Sequence, residues 1–145
     1  MKIGILSSGG DCPGINATIR GVGKTAIMPY GMEVGLLNKD VQTFDERSLS
    51  GILNLGGTIL GTSREKPFRK LLASGESEKP QLIRQNYEEL GLDCLVCIGG
   101  NGTQKTAGML SAMGLNVIGV PKTIDNDIWG TDITFGFDTA GNVST

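Results

Sequence analysis

The sequence predicts an α/β fold of three layers, a mainly parallel sheet with helices on both faces. Two observations carry this. Short apolar runs of strand length alternate along the chain with stretches of helical period, and the strands are separated by connections long enough for right-handed crossovers. A third observation concerns function: glycine pairs follow two of the apolar runs and an Asp-rich segment follows a third, where ligands bind in such sheets.

Taken in order, Lys2 to Ser7 reads as the first strand and a helix follows Pro13, with Ile15, Ile19, Val22 and Ala26 on one face. A short strand is expected around Met32 to Val34, a loop from Asn38 to Thr43, and a short helix from Glu46 to Leu55 carrying Leu49, Ile52 and Leu53. Gly56 to Ser63 is a glycine-threonine loop, and the polar stretch on to Lys79 reads as a mobile connection. Pro80 opens a helix in which Leu82, Ile83, Asn86 and Leu90 share a side, and Gly91 stops it. Asp93 to Ile98 is the next strand, Thr103 to Met113 the next helix and Asn116 to Val120 the strand after that. Trp129, Phe135 and Phe137 read as packing residues, and Asp138-Thr139 starts a last helix.

Composition narrows the function classes. The 145 residues fit one domain of ordinary size, 39% hydrophobic and 19% charged. No apolar run reaches the ~18 residues of a membrane span, and Met1 to Leu6 reads as a buried strand rather than a signal peptide. A net charge of -2, with scattered Lys and Arg, gives no reason to expect nucleic acid. With no histidine, Ser-His-Asp and Cys-His catalysis are excluded. Cys12, Cys94 and Cys97 are expected as reduced thiols of a cytoplasmic protein. Strand alternation sends Cys94 and Cys97 to opposite faces, so that pair cannot hold a metal.

Four segments carry chemistry. Ser8-Gly9-Gly10-Asp11-Cys12-Pro13-Gly14 joins a strand to a helix; it fits a phosphate cradle of bare backbone N–H groups, and it also fits a tight turn without ligand. Ile98-Gly99-Gly100-Asn101-Gly102-Thr103 has the same form. There Thr103 suits a helix cap or a phosphate donor, and Asn101 offers an oxygen to Mg²⁺ or accepts from a backbone N–H. Gly56-Gly57-Thr58 and Gly61-Thr62-Ser63-Arg64 form a loop of small donors ending in a guanidinium that suits phosphate or simply faces solvent. In Pro121-Lys122-Thr123-Ile124-Asp125-Asn126-Asp127, two carboxylates face the same way if the segment is extended, one to accept a proton and one to hold a cation or acceptor. Lys122 and Thr123 add a charge and a hydroxyl for a transferring phosphoryl group. The bland alternative is a turn whose carboxylates bond their own backbone.

Together these stretches resemble the phosphofructokinase family, in its order and over nearly the whole chain. The matching motifs are Gly9-Gly10-Asp11-Cys12-Pro13-Gly14-x-Asn16, Gly57-Thr58-x-Leu60-Gly61-Thr62-Ser63-Arg64, Gly99 to Thr103, Pro121 to Asp127, and Phe135-Gly136-Phe137-Asp138-Thr139-Ala140. The resemblance implies the Rossmann-like N-terminal domain of that family and Mg²⁺-dependent phosphoryl transfer to the 1-hydroxyl of fructose 6-phosphate. It implies Asp125 as base, with Lys122 and Thr123 beside it in the catalytic group. Thr123, Asp125 and Asp127 would contact substrate, and Gly9, Arg64, Gly100, Asn101, Gly102 and Thr103 would hold the donor. Asn101 stands where the family usually carries Asp, a position associated with Mg²⁺; it keeps an oxygen ligand and loses the charge. Gly102 leaves room for a nucleotide and favours ATP, whereas lysine at Lys122 goes with pyrophosphate. ATP is the expected donor, and pyrophosphate or a non-catalytic nucleotide-binding module the alternative. Residues 1–145 are expected to be the donor-binding half, shortened near 34–35 and truncated at Thr145 without the second, substrate domain. The family further implies a homotetramer or homodimer.

Overall fold

The computed structural model describes residues 1–25, 33–45, 47–62, 67–68 and 78–143. Arg64 and most of the stretch from Ser63 to Lys79 lie outside them, as do Ala26, Met32 and Glu46. Three strands, β1 (Ile3–Ser8), β2 (Cys94–Gly99) and β3 (Val117–Pro121), form a parallel sheet in the order β1-β2-β3. Their carboxyl ends lie level, with Ser8 opposite Gly99 and Gly99 opposite Pro121. The central strand β2 is buried throughout, as expected of a parallel strand covered on both sides.

Strand alternation divides the core in two. On one side Ile5, Val96 and Ile98 pack against Ile15 and Ile19 of α1 (Ile15–Thr25) and against Phe44, Leu49 and Ile52. On the other, Leu6, Leu95 and Cys97 meet Leu36 of α2 (Glu33–Asn38), Ile83 and Tyr87 of α3 (Lys79–Glu89), and Ala107 and Leu110 of α4 (Asn101–Ala112). Each fully buried Ile or Leu contributes about 1.5–3 kcal/mol, so the two faces supply most of the stability. All three cysteines are buried and none is in a disulfide; Cys97 points into the α3–α4 face while alternation turns Cys94 the other way.

Several local expectations are corrected. Glu33 and Val34 do not form a strand: Glu33–Asn38 is helix α2, which puts Leu36 into the core. The helix expected over Glu46 to Leu55 shrinks to a 3₁₀ turn, Ile52–Asn54, because Gly51 takes a left-handed φ of 78° and breaks the run; Ile52 is buried but Leu53 is half exposed. In α3, Ile83 and Asn86 face the core while Leu82 looks outward. Trp129 is 96% exposed in a turn, not packed, and Phe137, at the start of α5 (Phe137–Val143), is largely exposed too. Helix α4 begins at Asn101, two residues before the expected start, with Gly100 as N-cap.

Candidate functional site at the carboxyl edge of the sheet

The early start of α4 shapes the site. Its first intrahelical bond runs from Gln104 N to Gly100 O (3.0 Å), so the N–H groups of Asn101, Gly102 and Thr103 occupy the free first turn of a helix. Such a terminus attracts phosphate oxygens. A Cβ built at Gly102 would meet nothing within 4 Å, so the first turn is open on that side. Thr103 is not the cap. It is buried, with its hydroxyl against Gly99, where a Cβ would lie 2.3 Å from Thr103 Oγ1 and 2.7 Å from the Ser8 carbonyl oxygen. Gly99 is therefore required by close approach. Gln104 Nε2 donates to the carbonyls of Gly99 (2.9 Å) and Val120 (3.0 Å), fastening the ends of β2 and β3 together.

The β1–α1 loop stands beside this terminus. Gly9 takes a left-handed φ of 87°, and nothing approaches a Cβ at Gly9 or Gly10 within 4 Å. From the end of β3, Lys122 reaches across: its backbone N–H donates to Gly99 O (2.9 Å) and its ammonium donates to the Gly10 carbonyl. Lys122 is 3% exposed. Burial pushes the Cys12 thiol above its ordinary value, while the Lys122 charge pulls it down and Asp11 raises it. The loop's other side is closed by the 134–136 segment: Cys12 Sγ faces Phe135 O at 3.8 Å, and a Cβ at Gly136 would come within 2.6 Å of Pro13 O.

The Thr123-to-Asp127 segment is bent, which corrects the extended geometry expected of it. The Thr123 hydroxyl accepts from Asp125 N (3.1 Å) and donates to Asp127 Oδ1 (3.1 Å). Asn126 has a left-handed φ of 53°, and its carboxamide oxygen accepts from Thr134 N (2.8 Å), while the Thr134 hydroxyl donates to Thr123 O (2.8 Å). The bend leaves the two carboxylates differently partnered. Asp127 is engaged by Thr123, whereas the exposed Asp125 carboxylate has no hydrogen-bond partner among the described residues. Neither carboxylate bonds the segment's own backbone among the described residues; the bend is held by the Thr123 hydroxyl and by Asn126 and Thr134 instead. Asn101 Nδ2 faces Asp127 O at 3.4 Å, bringing the start of α4 to this segment.

The glycine-threonine loop joins the same edge. Asn16 Nδ2 donates to Leu55 O (3.2 Å) and Gly57 O (2.8 Å), and Asn16 Oδ1 accepts from Ile59 N (3.1 Å). The Ser7 hydroxyl donates to Gly61 O (2.7 Å) and shares a 3.3 Å hydrogen bond with the Thr58 hydroxyl. A Cβ at Gly57 would lie 3.7 Å from Asp11 Oδ2. Gly9, Gly100, Asn101, Gly102, Thr103, Lys122, Thr123, Asp125 and Asp127 thus lie along one edge; Arg64 is outside the described residues. Sequence reasoning gave no role to Asn16, Gln104 or Thr134. Asn16 ends the Gly9-to-Asn16 motif; Gln104 and Thr134 carry no local signal. A separate cavity of about 250 Å³ is lined by Arg20, Lys24, Leu49 and Ser50, none of them from the four segments.

The family model described as Phosphofructokinase matches residues 2–145. The chain belongs to the phosphofructokinase family. It is 66% identical over 153 residues to ATP-dependent 6-phosphofructokinase 3 of Bacteroides thetaiotaomicron, a match covering 100% of this chain and 46% of that protein. It is 56% identical to ATP-dependent 6-phosphofructokinase of Spirochaeta thermophila, covering 98% of this chain and 42% of that one. The chain therefore spans less than half the length of these phosphofructokinases. Among solved structures, phosphofructokinase from Saccharomyces cerevisiae superposes with a TM-score of 0.77 at 30% identity, covering 96% of this chain and 22% of that chain. A pyrophosphate-dependent phosphofructokinase from Nitrosospira multiformis gives a TM-score of 0.81 at 21% identity, covering 94% and 37%, a likeness of fold alone. No helix among the described residues is long and apolar enough to cross a membrane.

Proposed function

We propose that this chain forms the phosphate-donor side of a 6-phosphofructokinase, moving a phosphoryl group from ATP to the 1-hydroxyl of fructose 6-phosphate to give fructose 1,6-bisphosphate. The observation that carries the reading is the meeting, at one sheet edge, of an open helix N-terminus at Asn101–Thr103, the bare Gly9–Gly10 backbone and an unengaged carboxylate at Asp125. Asp125 takes the proton of the attacking hydroxyl. Thr123 and Asp127, already bonded to each other, hold the acceptor in line. Gly9, Gly100, Asn101, Gly102 and Thr103 hold the donor through backbone N–H groups, and Arg64 adds a guanidinium on sequence grounds. Phosphoryl transfer asks the protein mainly for positioning and charge neutralisation, which is what rigid backbone donors supply.

Two observations support ATP over pyrophosphate. Gly102 leaves open space for a nucleotide. Lys122, the residue that leans toward pyrophosphate, is buried with its ammonium on the Gly10 carbonyl and takes no room from a base or ribose. The names of the relatives at 66% and 56% identity agree. Mg²⁺ fits the residues present. No group of three or more acidic or cysteine side chains gathers among the described residues, and Mg²⁺ on a nucleotide needs only one or two protein oxygens. Asn101, whose Nδ2 is turned to Asp127 O, would offer its carboxamide oxygen, with Asp127 beside it. The bound ion would neutralise donor phosphate charge.

The test is a coupled assay for fructose 1,6-bisphosphate with ATP and with pyrophosphate. ATP is expected to be the better donor, and Asp125→Ala to lower turnover at least ~10²-fold. Near-normal turnover in that variant removes Asp125 from the mechanism, and saturable MgATP binding without any product makes the chain a binding module. The three cysteines, none in a disulfide, support a cytoplasmic setting. The exposed Trp129 and Ile133 support association into a homo-oligomer, which sedimentation will show as a dimer or tetramer mass.

A further inference from the structure

Asn16 stands in the first turn of α1, 4% exposed, at the centre of a set of contacts that the four-segment reading does not use. Both N–H groups of its carboxamide are spent on backbone carbonyls, Leu55 O and Gly57 O, and its oxygen on the Ile59 N–H. The partners are 39 to 43 residues away in sequence. The carboxamide is long enough to copy a strand-like exchange of donor and acceptor, so it fastens the loop as a neighbouring backbone would. No other short side chain offers two donors and an acceptor. Asp loses the donors and sets a charge against two carbonyl oxygens, and Ala removes the partner of all three part-buried hydrogen bonds at once. The loop so held faces Asp11, whose Oδ2 would lie 3.7 Å from a Cβ built at Gly57, and it is pinned to β1 through Ser7 at Thr58 and Gly61.

We propose that Asn16 is a positioning residue for the donor wall: it locks the Gly57–Ile59 backbone against the β1–α1 glycine loop and so sets the gap into which donor phosphates fit. This rests on the donor-site reading above. It makes a distinction a purely structural asparagine does not. Asn86 is an equally buried carboxamide that also donates to two carbonyls, Leu36 O and Leu37 O, but it lies in α3 on the opposite face of the sheet. Loss of either side chain should lower stability; only loss of Asn16 should alter the donor site.

Calorimetric titration of the chain with MgATP, each variant held well below its own melting temperature, tests this. Asn16→Ala and Asn16→Asp are expected to weaken MgATP binding at least tenfold, with Asp the worse of the two, while Asn86→Ala binds within twofold of the unaltered chain. If the unaltered chain does not bind MgATP, the donor-site reading falls and this inference with it. If it binds and Asn16→Ala binds equally well, the inference alone is overturned. Should the Asn16 variants not fold, amide hydrogen exchange on the unaltered chain decides: saturating MgATP is expected to slow exchange at Ile59 and Leu60, and unchanged rates at both overturn the proposal.

Discussion

The two ends of the three-stranded sheet are closed in different ways. At the amino end, side chains saturate the strand termini. The Lys2 ammonium donates to Leu90 O (2.6 Å), Lys2 N donates to the Asp93 carboxylate, Asp93 N returns to Lys2 O (2.7 Å), and Asn116 Nδ2 donates to Asp93 O (2.9 Å). At the carboxyl end, comparable part-buried ties exist, Gln104 across β2 and β3 and the buried Lys122 onto Gly10. Above them the edge presents bare glycine backbone and the free first turn of α4. Polar ties and bare backbone are thus combined at one end of the sheet only. Polar ties fasten the strand ends and the β1–α1 loop, and the absence of side chains keeps the N–H groups available.

Substitutions at the two ends should therefore separate function from stability. The largest contrast is catalytic: Asp125→Ala is expected to cut turnover by ~10² or more, whereas Asp93→Ala at the amino end leaves turnover per folded molecule unchanged in the same assay. Next comes Gly99→Ala, whose Cβ would press on Thr103 and on the Ser8 carbonyl. Denaturant titration should show a loss of about 1–3 kcal/mol, accompanied by weaker MgATP binding. Asn116→Ala removes the amino-end tie to Asp93 O and should cost about 1 kcal/mol with MgATP affinity intact. The smallest effect concerns pH. Because burial raises the Cys12 thiol in the folded state, the unfolded chain loses that proton first. Stability should be full below pH ~8.5 and decline as pH rises further. Cys12→Ser should flatten that decline in melting curves taken across the range.

Much of this was legible in the sequence, for reasons that differ by residue. The three strands announce themselves as apolar runs, and the rule that ligands gather at strand carboxyl ends brings Gly9, Gly100 and Asp125 together without coordinates. What escaped reading depended on distant contacts. The bend at Thr123–Asp127 is held by Thr134, eight residues from Asn126, and the left-handed Asn126 that it supports has no local announcement. The stretch around Met32 to Val34 is too short to tell strand from helix by period; from Glu33 on the chain is helix, with Leu36 buried and its carbonyl bonded by Asn86. Trp129 shows the same limit, since its exposure in a turn is a property of the surrounding surface and not of the residue.

The contrast between the two ends is tested most directly by heteronuclear NMR of the chain titrated with MgATP. The account predicts amide shifts at Gly9, Gly10, Gly99 to Thr103 and Thr123 to Asp127, with Lys2, Asp93 and Asn116 unmoved. Shifts confined to the amino end, or none at the carboxyl edge at saturating MgATP, would contradict it.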